Sequence, residues 1–283
     1  MKIAKTIGSV RKLVRQARSK GKSVGLVPTM GALHQGHISL IEKATKNTSF
    51  VVVSIFVNPA QFGPKEDFKK YPRPLRNDLK LCENAGADVV FAPSAREIYP
   101  QENLTWVNVE KLSQPLCGRS RPGHFRGVAT VCAKLFNIVQ PDAAFFGQKD
   151  AQQAALIRRM AADLNFPLKI IICPTVRQPD GLALSSRNQY LSPQEKKDAV
   201  CLYKSLRKCR QMVVLGENSS KKIIAQMRNI LSAPASAKIE YVEIVDVKTL
   251  QPLTKIDRSA LVAIAVRIGS TRLIDNILID VPK

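Results

Sequence analysis

Histidine is scarce in this chain, with three in 283 residues, and none of the six cysteines forms a C-x-x-C pair. That spacing argues against a structural zinc site. Cys82, Cys117, Cys132, Cys173, Cys201 and Cys209 sit mostly in apolar stretches and read as small core residues of a reducing compartment. No apolar run is long enough to cross a bilayer. The longest, residues 50–57, contains Ser54 and stops at Asn58-Pro59. The basic start is followed by Arg11, Lys12 and Arg15 where an export signal would carry an apolar core, so a cytoplasmic protein is expected, with no membrane partner. Low-complexity tracts and repeats are also absent, which excludes linkers, tails and solenoids.

What is present is ordinary in bulk and unusual in charge. Hydrophobic residues make up 45% and charged residues 23%, as in a globular enzyme. The length admits one large domain or two smaller ones. Lys plus Arg total 44 against 22 acidic residues, a formal net charge of +22. The basic residues are spread along the chain without interleaved aromatics, so a specific nucleic-acid partner is not expected. A positive field of this kind also draws in small anions such as ATP and carboxylates.

The first two-thirds alternates strand-like and helix-like patterns. Residues 23–29, 50–57, 88–92, 143–146 and 168–173 read as strands. Residues 38–44, 75–85, 128–139 and 152–164 read as helices. That rhythm predicts a parallel sheet covered on both faces. After Pro179-Asp180-Gly181 the pattern changes. Ser192-Pro193-x-Glu195 opens a long basic helix, a second follows near 221–231, and three strands are expected at 238–245, 260–267 and 272–279. The prediction is an α/β protein: a Rossmann-like domain over 1–175 and a smaller α+β domain over 176–283.

Three clusters carry chemistry. Pro28-Thr-Met30-Gly31-Ala-Leu-His34-Gln-Gly36-His37 follows the first central strand, at the end where α/β sheets bind ligands. A helix starting there offers backbone N–H groups and a positive dipole end to phosphate. The i,i+3 spacing places both imidazoles on one face. Phe146-Gly147-Gln148-Lys149-Asp150-x-Gln152-Gln153 lies at another strand-to-helix junction, with Lys149 for phosphate, Asp150 for a helix cap or a ribose, and Gln153 for a polar substrate. Leu184-Ser185-Ser186-Arg187-Asn188 suits a phosphate-gripping loop. Taken alone, each also fits a plain helix cap or a Ser-rich turn. Smaller pieces are Asn58-Pro-x-Gln61-Phe62 and Arg121-Pro-Gly-His124-Phe-Arg-Gly127.

These five motifs, in their order along the chain, resemble the pantothenate synthetase (pantoate–β-alanine ligase) family over essentially the whole chain. The resemblance implies a Rossmann-like nucleotidyltransferase domain, a C-terminal lid domain and a homodimer. It implies that ATP, a co-substrate carrying Mg²⁺ on its phosphates, and pantoate give a pantoyl-adenylate, from which β-alanine then displaces AMP. His34, His37 and Lys149 would stabilise the phosphorus transition state. Met30, Gly31, Gly147, Asp150, Val176 and Leu184 would complete the nucleotide site, and Ser185, Ser186 and Arg187 would close over the phosphates. Gln61 and Gln153 would grip pantoate, with Met30, Arg121 and His124 beside them. No protein ligand to a metal is implied. One departure is that the family's usual Glu is Gln148 here. The competing readings are another H-x-G-H adenylyltransferase, or a basic nucleic-acid-binding protein on the same fold.

Overall fold

The structure, a computed structural model, describes residues 1–64 and 66–280. Lys65 and the last three residues of the expected second unit lie outside the described residues.

Six strands form a parallel sheet: β1 (Lys2–Ala4), β2 (Val24–Thr29), β3 (Phe50–Ile55), β4 (Val89–Phe91), β5 (Ala143–Gly147) and β6 (Lys169–Cys173). Their order is β1-β4-β3-β2-β5-β6. From β2 the chain winds one way through β3 and β4, then returns to lay β5 on the other side of β2. The topological switch point is therefore between β2 and β5, where α/β sheets open a ligand crevice. The central strands are buried on both faces, which is why residues 50–55 read as one apolar run.

Helices α1 (Ile7–Arg18), α2 (Gln35–Asn47), α3 (Leu75–Asn84), α6 (His124–Val139) and α7 (Ala151–Asp163) cover the sheet, with short turns α4 (Ala95–Ile98) and α5 (Cys117–Ser120) between them. Two expectations shift. The N-terminus, read only as a basic segment without an export signal, forms β1 and α1; α1 starts from a Thr6–Ser9 capping box and buries Val10, Val14 and Ala17. Helix α6 begins at His124, four residues before its expected start, and nearly all of its residues are buried.

Beyond β6 come α8 (Pro193–Val214), α9 (Ser220–Leu231) and an antiparallel sheet of β7 (Ala237–Asp246), β8 (Ala260–Ile268) and β9 (Thr271–Ile279). Ser192 is the N-cap of α8, as expected, and it makes a capping box with Glu195. Strand β8 is central and buried on both faces. Val262, Ile264 and Val266 face α8 and α9, whereas Leu261, Ala263 and Ala265 join the core of the parallel-sheet half. All six cysteines are buried and unpaired; burial pushes the Cys82, Cys132 and Cys209 thiols up to about 12. Among the described residues no helix is long and apolar enough to cross a membrane.

Candidate active site

The crevice beyond β2 and β5 holds two adjoining cavities of about 210 and 670 Å³. Met30, His34, His37, Gln61, Gly147, Val176, Leu184 and Ser186 line the smaller one. Arg121 and His124 line only the larger. Lys149, Asp150, Gln153, Ser185 and Arg187 line both, so they mark the junction. Gly31 lines neither. It is buried, with φ at +82°, and a Cβ there would stand 3.0 Å from Asp78 Oδ2.

His34 is the N-cap of α2, and the cap is made by imidazoles in place of the usual hydroxyl or carboxylate. Its Nδ1 accepts the Gly36 N–H at 3.1 Å, and His37 Nδ1 accepts the His34 N–H at 3.4 Å. Gly36 is required for this fold-back, because a Cβ there would lie 2.9 Å from His34 Cε1. Two backbone N–H groups expected to face phosphate are thus taken up by the histidines. With both Nδ1 atoms accepting, the ring proton of each neutral imidazole sits on Nε2. Burial, reinforced by Lys149, lowers His34 to about 4. Burial, His34 and Lys149 lower His37 to about 3. At neutral pH the pair therefore offers two N–H donors without carrying charge.

The turn before α2 hangs on a residue the sequence reading passed over. Asp78, fully buried on α3, accepts the Ala32 N–H at 2.9 Å and the Leu33 N–H at 2.8 Å. Burial raises its carboxyl above the ordinary value, opposed by those two bonds. The signal for it was an acidic residue four positions before Cys82 on the inward face of an amphipathic helix.

Gln61 is positioned by Asn58. Asn58 Nδ2 donates to Gln61 Oε1 at 3.1 Å and to the Gly127 carbonyl at 3.1 Å, while Tyr99 donates to Asn58 Oδ1 at 2.9 Å. The Gln61 oxygen is committed, so its N–H₂ faces Met30 Sδ, at 2.9 Å, and the cavity. His124 Nδ1 donates to the Gln61 carbonyl at 2.8 Å, leaving Nε2 to accept from Arg121 at 2.9 Å. Burial and the Arg121 charge lower His124 to about 4.

Adjacent glutamines divide their work. Gln152 is buried and holds the 112–117 loop through the Cys117 N–H and the Leu112 and Pro115 carbonyls. Gln153 turns to the cavities. Asp150 makes no capping bond to α7 and is 48% exposed in its side chain, so its carboxylate remains open to a ligand.

Both site arginines are held by one loop. Arg121 is bidentate to Glu66, with both contacts at 2.7 Å, and Arg187 is bidentate to Asp67 at 3.1 and 3.0 Å. Burial opposes the Glu66 charge, but Arg121 outweighs it and keeps that carboxyl below its usual value. An anion entering beside Arg187 competes with Asp67.

The pantoate–β-alanine ligase family model matches residues 2–278. The chain belongs to the pantoate–β-alanine ligase family. It is 53% identical over 281 residues to a pantothenate synthetase of Acetivibrio thermocellus, covering 99% of this chain and 100% of that protein. A Thermotoga neapolitana pantothenate synthetase is 54% identical over 279 residues, covering 99% and 100%. A crystal structure of pantothenate synthetase from Thermus thermophilus superposes with a TM-score of 0.93 at 44% identity, covering 98% of this chain and 99% of that one. A Francisella tularensis pantoate–β-alanine ligase, solved with a β,γ-ATP ligand and β-alanine, gives 0.81 at 37% identity, covering 98% and 97%. A member of the pantoate–β-alanine ligase family is a carbon–nitrogen ligase of pantothenate biosynthesis, and that is the activity of this chain.

All three histidines should stay neutral from pH 8 to about 5. Nitrogen-15 spectra of the imidazoles should report Nε2–H tautomers for His34 and His37 and an Nδ1–H tautomer for His124. A ring titrating near 6.5 would contradict the assignment. Because the folded values lie below the ordinary one, the stability tied to neutral rings is complete above about pH 6.5 and falls as the pH drops through about 4 for His34 and His124 and about 3 for His37.

Proposed function

We propose that the cleft activates pantoate by adenylylation at the α2–α7 junction and then hands the adenylate to β-alanine. The observation that carries this reading is the pair of neutral imidazoles whose free Nε2–H groups stand beside Lys149. A carboxylate is a poor partner for an amine because oxide would have to leave. Attack of a pantoate oxygen on the α-phosphorus forms a C–O–P linkage and releases pyrophosphate. Attack of the β-alanine nitrogen on the carbonyl carbon forms the C–N bond and releases AMP. No protein nucleophile is needed; the work is alignment and stabilisation of charge on phosphate.

In this proposal His34, His37 and Lys149 meet the α-phosphate region during transfer. Gly147, Asp150, Val176, Leu184 and Met30 frame the nucleoside, with Gly31 shaping the turn behind Met30. Ser185, Ser186 and Arg187 take the outer phosphates, with Arg187 exchanging Asp67 for ATP. Gln61 and Gln153 hold pantoate, and the Arg121–His124 pair borders the space for β-alanine. Magnesium would be carried on the ATP phosphates, whose negative charge it would offset. We also propose a lid role for the residues after 176, a homodimer and a cytoplasmic location. The division near 176 is supported by β6 ending at Cys173.

The test supplies ATP, Mg²⁺, pantoate and β-alanine to the purified protein. Pantothenate and AMP should form one for one. ADP and orthophosphate in place of AMP and pyrophosphate would refute the adenylyl route.

A further inference from the structure

The Lys149 turn is fastened to the far sheet through Asn276. Asn276, on β9 and 5% exposed, donates from Nδ2 to the Gln148 carbonyl at 3.0 Å and to the Lys149 carbonyl at 2.8 Å. Carbonyls only accept, so the orientation of this amide is fixed. Its Oδ1 must then face a donor, and Gln148 Nε2 lies 3.0 Å away. A carboxylate at position 148 has no hydrogen to give there.

The neighbouring residue holds the other half of the phosphate site. Successive side chains of a strand point to opposite faces. Asp275, with 2% side-chain exposure, is bidentate to Arg177 at 2.5 and 2.9 Å, and it also accepts the Asn276 N–H at 2.8 Å. Arg177 bonds the Gly181 carbonyl at 3.1 Å and stacks over Tyr203 at 4.3 Å. It belongs to the hairpin closed by Gln178–Leu182 and Val176–Leu184 backbone bonds, which leads directly into Ser185 and Arg187.

We infer that Asp275 and Asn276 are positioning residues that set the Lys149 turn and the Ser185–Arg187 loop in register for adenylylation. The inference rests on the proposed role of Lys149. Both residues line the larger cavity and neither lines the smaller one with the imidazoles. With the Asn276 N–H₂ given to two carbonyls and both Asp275 oxygens given to Arg177, they act through the loops they hold. Gln148 serves the same function: its amide keeps Asn276 turned toward the two carbonyls.

Asn276→Asp keeps the shape, removes both N–H donors and sets a carboxylate against two carbonyl oxygens. Two half-reactions are measured: pantoate-dependent exchange of labelled pyrophosphate into ATP, and aminolysis of supplied pantoyl-adenylate by β-alanine. The expected result is a fall in the exchange kcat of about 30-fold with the pantoate KM and the aminolysis rate nearly unchanged. Exchange at the wild-type rate overturns the inference. So does an equal fall in both half-reactions, which marks general structural damage. Should Asn276→Asp fail to fold, Gln148→Met removes one bond at a half-exposed position. It should slow exchange about threefold and spare aminolysis. Unchanged exchange, or an equal loss in aminolysis, again overturns the inference. Absence of exchange in the wild type would instead sink the reading of Lys149 and the imidazoles.

Discussion

Lys149→Ala should lower pantoate-dependent pyrophosphate exchange by about 10³-fold, the loss expected when a charged contact to a developing anion is removed. The folded protein should barely register the change. Among the described residues Lys149 Nζ has one ion-pair contact, to Asp150 at 4.0 Å, and its side chain is 20% exposed. A contact of that length contributes at most about 1 kcal/mol. Removing the ammonium also removes a charge that depresses both imidazoles, so His34 and His37 should titrate somewhat higher in the variant. The same nitrogen-15 spectra read that shift. Exchange within about tenfold of wild type would reject Lys149 as the principal charge at the phosphate.

Asp78→Ala should be the most destabilising single change near the site. Its carboxylate is fully buried and accepts two backbone N–H groups of the turn that carries His34. Truncation leaves both donors buried and unpaired, at about 1–3 kcal/mol each, so a loss of about 4 kcal/mol is expected in urea unfolding. Activity should fall as well, because the capping geometry of His34 and His37 begins from that turn. Asp78→Asn keeps one acceptor and should recover roughly half of the stability. An alanine variant as stable as wild type would show that the turn is held elsewhere.

Much of this was legible in the sequence because the local rules and the fold agree. Residues 50–57 are apolar on both faces, which is the pattern of a central parallel strand, and β3 occupies 50–55 of that run. The Ser192 N-cap with Pro193 after it marked the start of α8 to the residue. The H-x-G-H motif placed its imidazoles on one helical turn by spacing alone. What the sequence hid depends on partners far along the chain. Asp78 serves a turn 45 residues away. Asn276 serves a turn 127 residues away, and its identity carries no local pattern. Glu66 and Asp67 hold Arg121 and Arg187 across 55 and 120 residues. The early start of α6 was hidden for another reason. Pro122-Gly123 reads as a loop, and Gly123 takes a left-handed φ of +79° at the N-cap where a hydroxyl or carboxylate cap was absent.

The charge distribution adds a consequence of its own. With the imidazoles neutral, positive charge at the junction comes from Lys149 and Arg187, and Arg187 is held by Asp67 until an anion competes for it. Lys149 thus remains as the standing charge that orients the incoming phosphate, and the two Nε2–H donors follow the charge as it grows.

The central claim is that pantoate is activated by AMP transfer before β-alanine takes part. The most direct measurement omits β-alanine and follows labelled pyrophosphate into ATP in the presence of Mg²⁺. The account predicts exchange that requires pantoate and vanishes without it. Folded protein that makes pantothenate yet shows no such exchange would contradict it.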